Sequence, residues 1–247
     1  MKPVRPIAKP TAPPSDDWHP RTIIIVAAVT VFVISAWVPF GSTALYPLTL
    51  FTTWVHEMGH GLTALAFGGE FRSLEINANA GGTAYAFAGH GWPDAMVAAG
   101  GLLAPPFLGA LLLAFVHRPR AARIVLGVLA AALVLSLAIW VRSAAGIIAM
   151  PLVAALLGWA AWRGFAENPG RRVVLVQVLS VILGLDTLTR MVGYAFMDKT
   201  SLGQRSDVSA IADNVGGHYL LWGLVITTLA LGMLALGLWR AWRRPAP

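Results

Sequence analysis

The chain has 247 residues, of which 57% are hydrophobic and 12% charged, and its formal net charge is +7. Soluble globular domains carry about 25% charged residues, so this composition excludes an ordinary water-soluble fold and favours a protein embedded in a lipid bilayer. Cysteine is absent, which excludes a disulfide framework and a thiolate metal site. Basic residues cluster beside apolar runs, as at 117–120 and 171–172. Such clusters are typical of lipid-headgroup anchors, and no aromatic-studded basic face indicates nucleic-acid binding.

Seven apolar stretches are long enough, or nearly so, to cross the roughly 30 Å of hydrocarbon in a bilayer. They are predicted at 22–40, 43–67, 95–116, 122–141, 144–162, 173–190 and 218–239. Residues 1–21 are basic and rich in proline and are predicted to form a disordered tail. The predicted fold class is therefore an all-α polytopic membrane protein of about seven transmembrane helices, with residues 22–240 as a single transmembrane domain.

A short β-hairpin is predicted between spans two and three, within residues 71–88. Side chains alternate in character from Phe71 to Asn77, a turn signal follows at residues 80–82, and alternation resumes from Thr83 to Phe87. This pattern is typical of two strands joined by a glycine-containing turn. The loop after span six, residues 191–217, is polar and is predicted to lack a span of its own.

The second predicted span contains the pattern His-Glu-x-x-His, at His56, Glu57 and His60. Histidines four residues apart lie one turn apart on the same helix face, so both imidazoles can reach one metal ion. Glu57 adjoins them and can accept a proton from a water at that ion. A charged group inside a span costs about 2.5–3.5 kcal/mol or more, so three such side chains close together predict a zinc site. The alternative is a polar cluster satisfied between helices, such as a proton relay.

A polar stripe on the same span supports this interpretation. Thr49, Thr53 and Thr63 share a helix face with His56 and His60. Such a stripe is expected to face the bundle interior or a water-filled cavity rather than lipid. The alternative is that the threonine hydroxyls donate to carbonyls of their own helix.

Two histidines leave a catalytic zinc one protein ligand short, and the candidate for that ligand is Asp186. It lies near the end of span six, which runs in the same direction as span two, so the two sites are expected at matching depths. The alternative role for Asp186 is an ion pair with Arg190, one helical turn away. Two carboxylates of the 191–217 loop, Asp207 and Asp213, are expected to serve as helix caps or turn residues.

The motifs together resemble the site-2-protease-like membrane metallopeptidases, most closely their bacterial peptidase M50B-like branch. The resemblance rests on residues 53–61 around the histidines, Gly68-Gly69, the hairpin ending at 80–83, and 98–101 at the opening of span three, with a weaker echo at 185–186 and 206–207. It implies a zinc centre below the membrane surface with two histidines and a later aspartate as ligands. Carried over, His56, His60 and Asp186 bind zinc and Glu57 is the base.

The leading hypothesis is an intramembrane zinc endopeptidase that hydrolyses membrane-embedded protein or peptide substrates, with the bilayer as its environment. The expected location is the bacterial inner membrane, and no nucleic-acid partner is expected. Two alternatives stay open: a zinc-binding membrane scaffold or regulator without proteolytic activity, and a cation-coupled transporter. The oligomeric state is not indicated by the sequence.

Overall fold

A computed structural model of the protein describes residues 26, 29–30, 41–193, 197–198 and 205–243. The predicted tail at 1–21 and nearly all of the first predicted span at 22–40 lie outside these described residues. Within them the chain forms the following elements: α1 (Gly41–Ala66), β1 (Glu70–Ile76), β2 (Gly82–Phe87), α2 (Trp92–Phe115), α3 (Pro119–Ile139), α4 (Ala144–Trp162), α5 (Gly170–Gly193), α6 (Asp207–Val215) and α7 (Tyr219–Trp242).

Five of the described helices are long and apolar enough to cross a membrane: α2, α3, α4, α7 and residues Gly170–Thr189 of α5. They coincide with five of the seven predicted spans, so the prediction of a polytopic helical membrane protein is confirmed, whereas the count of seven is not. Helix α1, which was predicted to be a span, is not apolar enough to be among the five. Its threonines and ionisable groups lower its hydropathy, and every residue from Leu50 to Gly61 is buried in protein.

The predicted hairpin is confirmed. Strands β1 and β2 pair antiparallel, with Ile76 opposite Gly82 and Glu70 opposite Phe87. Leu74 on β1 also donates its N–H to the Trp140 carbonyl at 2.9 Å and accepts from the Arg142 N–H at 3.0 Å. The loop between α3 and α4 therefore covers the outer edge of β1. Among the described residues β2 has β1 as its one partner strand, which leaves β2 at the edge of the sheet.

Helix α2 lies at the centre of the described bundle, because it packs against α1, α5, α6 and α7. Small residues allow these close approaches. A Cβ added to Gly59 of α1 would lie 2.4 Å from the Gly100 carbonyl of α2, and one added to Gly237 of α7 would lie 2.7 Å from the Ala110 Cα. Contact between helix backbones at small residues is the usual way in which membrane helices gain packing energy.

Helix α6 was not predicted. It occupies residues Asp207–Val215, inside the segment expected to be a polar loop. Ser206 begins it by accepting a hydrogen bond from the Ser209 N–H, as N-cap serines do. Its apolar face, Val208 and Ile211, packs on the small side chains of Ala95, Ala98 and Ala99 near the start of α2.

Candidate metal centre

Helix α1 places His56, Glu57 and His60 in the protein interior, where their residual exposures are 6%, 5% and 9%. The two imidazoles lie edge to face, with ring centroids 4.8 Å apart. Their Nε2 atoms are 3.2 Å from each other. The prediction that one helical turn brings both rings to a common point is therefore confirmed in its geometry.

A carboxylate completes this cluster, and it belongs to Asp207. Its Oδ2 lies 3.3 Å from His56 Nε2 and 3.6 Å from His60 Nε2. Ligand atoms about 2.0–2.1 Å from a tetrahedral zinc ion are separated from one another by about 3.3–3.4 Å. The three separations in this cluster, 3.2, 3.3 and 3.6 Å, are close to that spacing, so the three side chains could hold one metal ion.

Asp186, the predicted third ligand, does not belong to the cluster. Among the described residues, the group of His, Asp and Glu side chains able to hold a metal consists of His56, His60 and Asp207. Helix α5 runs unbroken through Gly184, so Asp186 stays on the helix face that carries Leu183. Leu183 packs against Gly109 of α2, so this face of α5 is turned toward α2. The assignment of Asp186 is corrected accordingly, and the expected capping or turn role of Asp207 is too narrow.

The His60 ring is held from two sides by α2. Its Nδ1 lies 2.9 Å from the Val97 carbonyl oxygen, an arrangement in which Nδ1–H donates and the Nε2 lone pair points into the cluster. Such a partner on the far nitrogen fixes the tautomer and orientation of metal-binding histidines. The absence of a side chain at Gly101 makes room for the ring, since a Cβ there would lie 2.1 Å from His60 Nε2.

The Glu57 side chain contacts the start of strand β2 in the hairpin. A Cβ added to Gly82, the first residue of β2, would lie 2.6 Å from both Cγ and Oε1 of Glu57. The neighbouring turn is fastened to α1 by two hydrogen bonds: Thr53 Oγ1 donates to the Ala80 carbonyl at 2.7 Å and Tyr46 Oη donates to the Ala78 carbonyl at 2.9 Å. The strand edge of β2 therefore begins beside the Glu57 carboxylate.

The predicted polar stripe on α1 faces the protein interior. Thr53 is fully buried and reaches the hairpin turn, while Thr63 packs against Gly100 of α2. Thr49 instead donates to the Leu45 carbonyl of its own helix at 3.3 Å. The stripe thus combines both predicted behaviours, with interior contacts at Thr53 and Thr63 and local back-bonding at Thr49.

The donor set fits a zinc ion. Two imidazole nitrogens and one carboxylate oxygen are ligands that zinc accepts, and three protein ligands are the number found in catalytic zinc sites. Imidazole and carboxylate also bind other first-row metals, so this fit concerns a divalent transition metal in general. Glu57 lies outside the ligand cluster, which leaves its carboxylate available for proton transfer.

The fold and the cluster together define a membrane protein whose helices enclose two histidines and an aspartate at metal-binding distances. The sequence profile of the Peptidase M50B-like family matches residues 22–237. The chain therefore belongs to this family of membrane metalloproteases, and the resemblance found in its motifs is confirmed. No curated protein and no solved structure matches the chain.

Sequence reasoning gave Asp207 a capping or turn role and did not place it in the site, although the family resemblance has a weak echo at 206–207 and two local signals indicate a helix there. The pair Ser206-Asp207 has the form of a helix N-cap followed by an acidic first turn, and Val208 and Ile211 have the i, i+3 spacing of a docked helix face. These signals predict a short amphipathic helix in the 191–217 loop. Which carboxylate reaches the histidines follows from where that helix packs, which local patterns do not state.

Proposed function

We propose that the protein is a zinc-dependent intramembrane endopeptidase that cleaves membrane-embedded protein substrates. The observation that carries this proposal is the metal-binding spacing of His56, His60 and Asp207 in the interior of a membrane helix bundle, with the Glu57 carboxylate on the same helix as the histidines. Family membership supports proteolysis as the reaction. The environment proposed for it is the bacterial inner membrane.

In this proposal His56, His60 and Asp207 hold the ion. A bound zinc ion supplies Lewis acidity toward a carbonyl oxygen and lowers the pKa of a water. Glu57 accepts the proton of the attacking water and later delivers a proton to the leaving amine. Val97 holds His60 in the required tautomer through its carbonyl. The two histidines are buried, which strengthens their electrostatic interactions, whereas the Asp207 side chain keeps 32% exposure.

The hairpin offers a place for the substrate backbone. A transmembrane helix must unwind before its peptide bonds can be cleaved, and its freed N–H and C=O groups need partners inside the membrane. Strand β2 provides them by strand addition, because its neighbour β1 is already bonded on its outer side to residues 140–142. The Glu57 side chain lies at the first residue of β2, so a strand added there would pass the proposed base.

Metal content and cleavage test the proposal separately. Zinc is measured by elemental analysis of detergent-purified wild type and of His56→Ala, Asp207→Ala, Asp186→Ala and Glu57→Gln. Wild type, Asp186→Ala and Glu57→Gln are expected to hold about one zinc per chain, and the other two variants to lose it. Equal zinc in wild type and Asp207→Ala, with loss in Asp186→Ala, would return the third ligand to Asp186.

Cleavage is measured with reporter fusions that each carry one transmembrane segment, some with helix-breaking residues, reconstituted with the enzyme in proteoliposomes. Wild type is expected to cleave segments that unwind easily. Glu57→Gln keeps its metal but is expected to lose at least about 100-fold in rate, the scale of general acid–base catalysis. A wild type that binds zinc and leaves every reporter intact would favour the scaffold alternative.

A further inference from the structure

The proposed ligand Asp207 is the first residue of α6, a helix of nine residues, so the position of this short helix decides where the carboxylate lies. Its apolar face shares a buried cluster with three alanines of α2 and with Ile226 and Ala230 of α7. Apolar burial is non-directional, and small side chains offer few ridges against which a helix can be registered. A metal ligand, in contrast, must be placed within about 0.2 Å. Polar contacts are therefore needed to fix the register of α6.

Asn214 provides such contacts at the other end of the helix. It follows Asp207 by seven residues and so lies on the same helix face, two turns away. Its Oδ1 accepts a hydrogen bond from the Gly91 N–H at 3.0 Å, and its Nδ2 donates to Asp94 Oδ2 at 3.3 Å and to the Ala210 carbonyl at 3.0 Å. The amide thus uses both its acceptor and its donors, and two of its three bonds leave α6.

The partners of Asn214 belong to the segment that joins the hairpin to α2. Gly91 is the N-cap residue that precedes α2, and Asp94 lies in the first turn of α2. The other carboxylate oxygen of Asp94 accepts from the Ala88 N–H at 3.5 Å, one residue beyond the end of β2. Through this segment Asn214 links the helix that carries Asp207 to the strand that contacts Glu57 and to the helix that orients His60.

We propose that Asn214 is a positioning residue of the metal centre: its hydrogen bonds to Gly91 and Asp94 set the register of α6 and thereby hold Asp207 at ligand distance from the histidines. This inference rests on the proposed function, because it takes Asp207 as a metal ligand. It adds a residue two turns from the cluster whose side chain touches neither the metal ligands nor the proposed base.

A second polar network on α6, around Arg205, can be compared with the hydrogen bonds of Asn214. Arg205 donates through Nε to Asp213 Oδ2 at 2.9 Å and through a terminal nitrogen to Asp198 Oδ1 at 2.6 Å. The hydrogen bond to Asp213 raises the pKa of Arg205. All three side chains are close to half exposed, and exposed ion pairs contribute little to stability. Asp213 thus neighbours Asn214 in sequence without joining α6 to α2.

The experiment compares Asn214→Leu, which keeps the volume and removes the hydrogen bonds, with Asp213→Asn as the matched control. Full-length protein in detergent is stripped of metal and titrated with Zn²⁺ against a chelator. The visible spectrum of Co²⁺ in the site reports the number and geometry of its ligands, and thermal unfolding of the metal-free protein reports the fold. Asn214→Leu is expected to bind zinc about 10–100-fold more weakly, the range seen for residues that orient ligands, with a weakened Co²⁺ spectrum. Asp213→Asn is expected to change affinity less than about threefold.

A charge exchange provides the rescue. Asn214→Asp places two carboxylates against each other and is expected to weaken zinc binding at least as much as Asn214→Leu. Adding Asp94→Asn restores the hydrogen bond with donor and acceptor exchanged, because the new amide at position 94 can donate to the new carboxylate at position 214. This double variant is expected to bind zinc within about fivefold of wild type. An unchanged affinity in Asn214→Leu, an equal loss in Asp213→Asn, or no rescue in the double variant would overturn the inference. The two failures are distinguishable. Wild-type protein that binds no metal contradicts the proposed function, whereas a failure of the inference about Asn214 shows only in the comparison between variants.

Discussion

The close fit of Gly101 against His60 makes a single methyl group a sharp test of the site. In Gly101→Ala the new Cβ would lie 2.1 Å from His60 Nε2, 2.2 Å from Cε1 and 2.5 Å from Cδ2. Non-bonded carbon and nitrogen atoms pack at about 3.5 Å, so the ring and the methyl must separate by more than about 1 Å. The ring is also held at its Nδ1 by the Val97 carbonyl, and it cannot retreat without giving up that hydrogen bond.

The displacement greatly exceeds what a metal site tolerates. Ligand distances in a working site vary by about 0.2 Å, so a shift of about 1 Å removes His60 from the coordination sphere. Zinc affinity is expected to fall at least about 100-fold, the upper end of the range for lost ligand orientation. Overpacking of the interior should also destabilise the fold by about 1–3 kcal/mol.

Two matched alanine substitutions separate these effects. In Gly109→Ala, also on α2, the Cβ would lie 2.9 Å from the Ser180 carbonyl, which strains the contact with α5 and touches no ligand. In Gly232→Ala the Cβ meets nothing within 4 Å. Both variants are compared by zinc titration and thermal unfolding in detergent. Gly109→Ala is expected to lower the stability and to retain the zinc affinity. Gly232→Ala is expected to have wild-type or slightly higher stability, because alanine favours the helix over glycine by up to about 1 kcal/mol. The reasoning is refuted if Gly101→Ala binds zinc as wild type does, or if Gly109→Ala loses zinc equally.

Two further substitutions extend the test to the base and to the bundle. Gly82→Ala brings a Cβ within 2.6 Å of the Glu57 carboxylate and is expected to slow reporter cleavage about 10–100-fold with zinc content unchanged. Gly81→Ala serves as the control, because the atoms nearest its Cβ belong to the Asn79 side chain, and equal losses in the two variants would contradict the interpretation. Ser136→Ala removes the acceptor of the buried Trp54 Nε1–H, 2.8 Å away, and is expected to lower the unfolding free energy by about 1 kcal/mol without affecting zinc. Ser136→Ala and Trp54→Phe both remove this hydrogen bond. The double variant should therefore lose less unfolding free energy than the sum of the two single variants, which a double-mutant cycle measures.

The parts of this molecule that local chemistry determines could be predicted from the sequence. Five apolar stretches became helices of membrane-spanning length, because an apolar run of that size has few other stable environments. The His56–His60 pair could be predicted because its geometry follows from the helix period alone. The hairpin followed from alternation around a glycine turn. Each of these inferences concerns residues that are close in sequence.

The third carboxylate could not be chosen in this way. The argument for Asp186 compared only the directions and depths of two helices, and α5 packs chiefly on α2. Asp207 reaches the histidines because α6 folds back onto the start of α2, a contact between residues more than a hundred positions apart. The span predicted at α1 is not confirmed for a related reason: a helix enclosed by protein can carry polar groups that lipid would not accept, and enclosure is a property of the whole bundle.

Helix α2 therefore organises the metal centre, although none of the three candidate ligands belongs to it. Within two turns it offers the Val97 carbonyl to one histidine, a missing side chain at Gly101 to the same ring, and an alanine surface to the helix that carries Asp207. Helices α1 and α6 both pack on α2. The size of the α2 side chains therefore affects the distance between the histidines and the aspartate, and small residues such as glycine and alanine keep this distance short. It follows that enlarging any of them should move ligands on two different helices apart, whereas equal enlargement on the lipid-facing side of α2 should leave the centre intact.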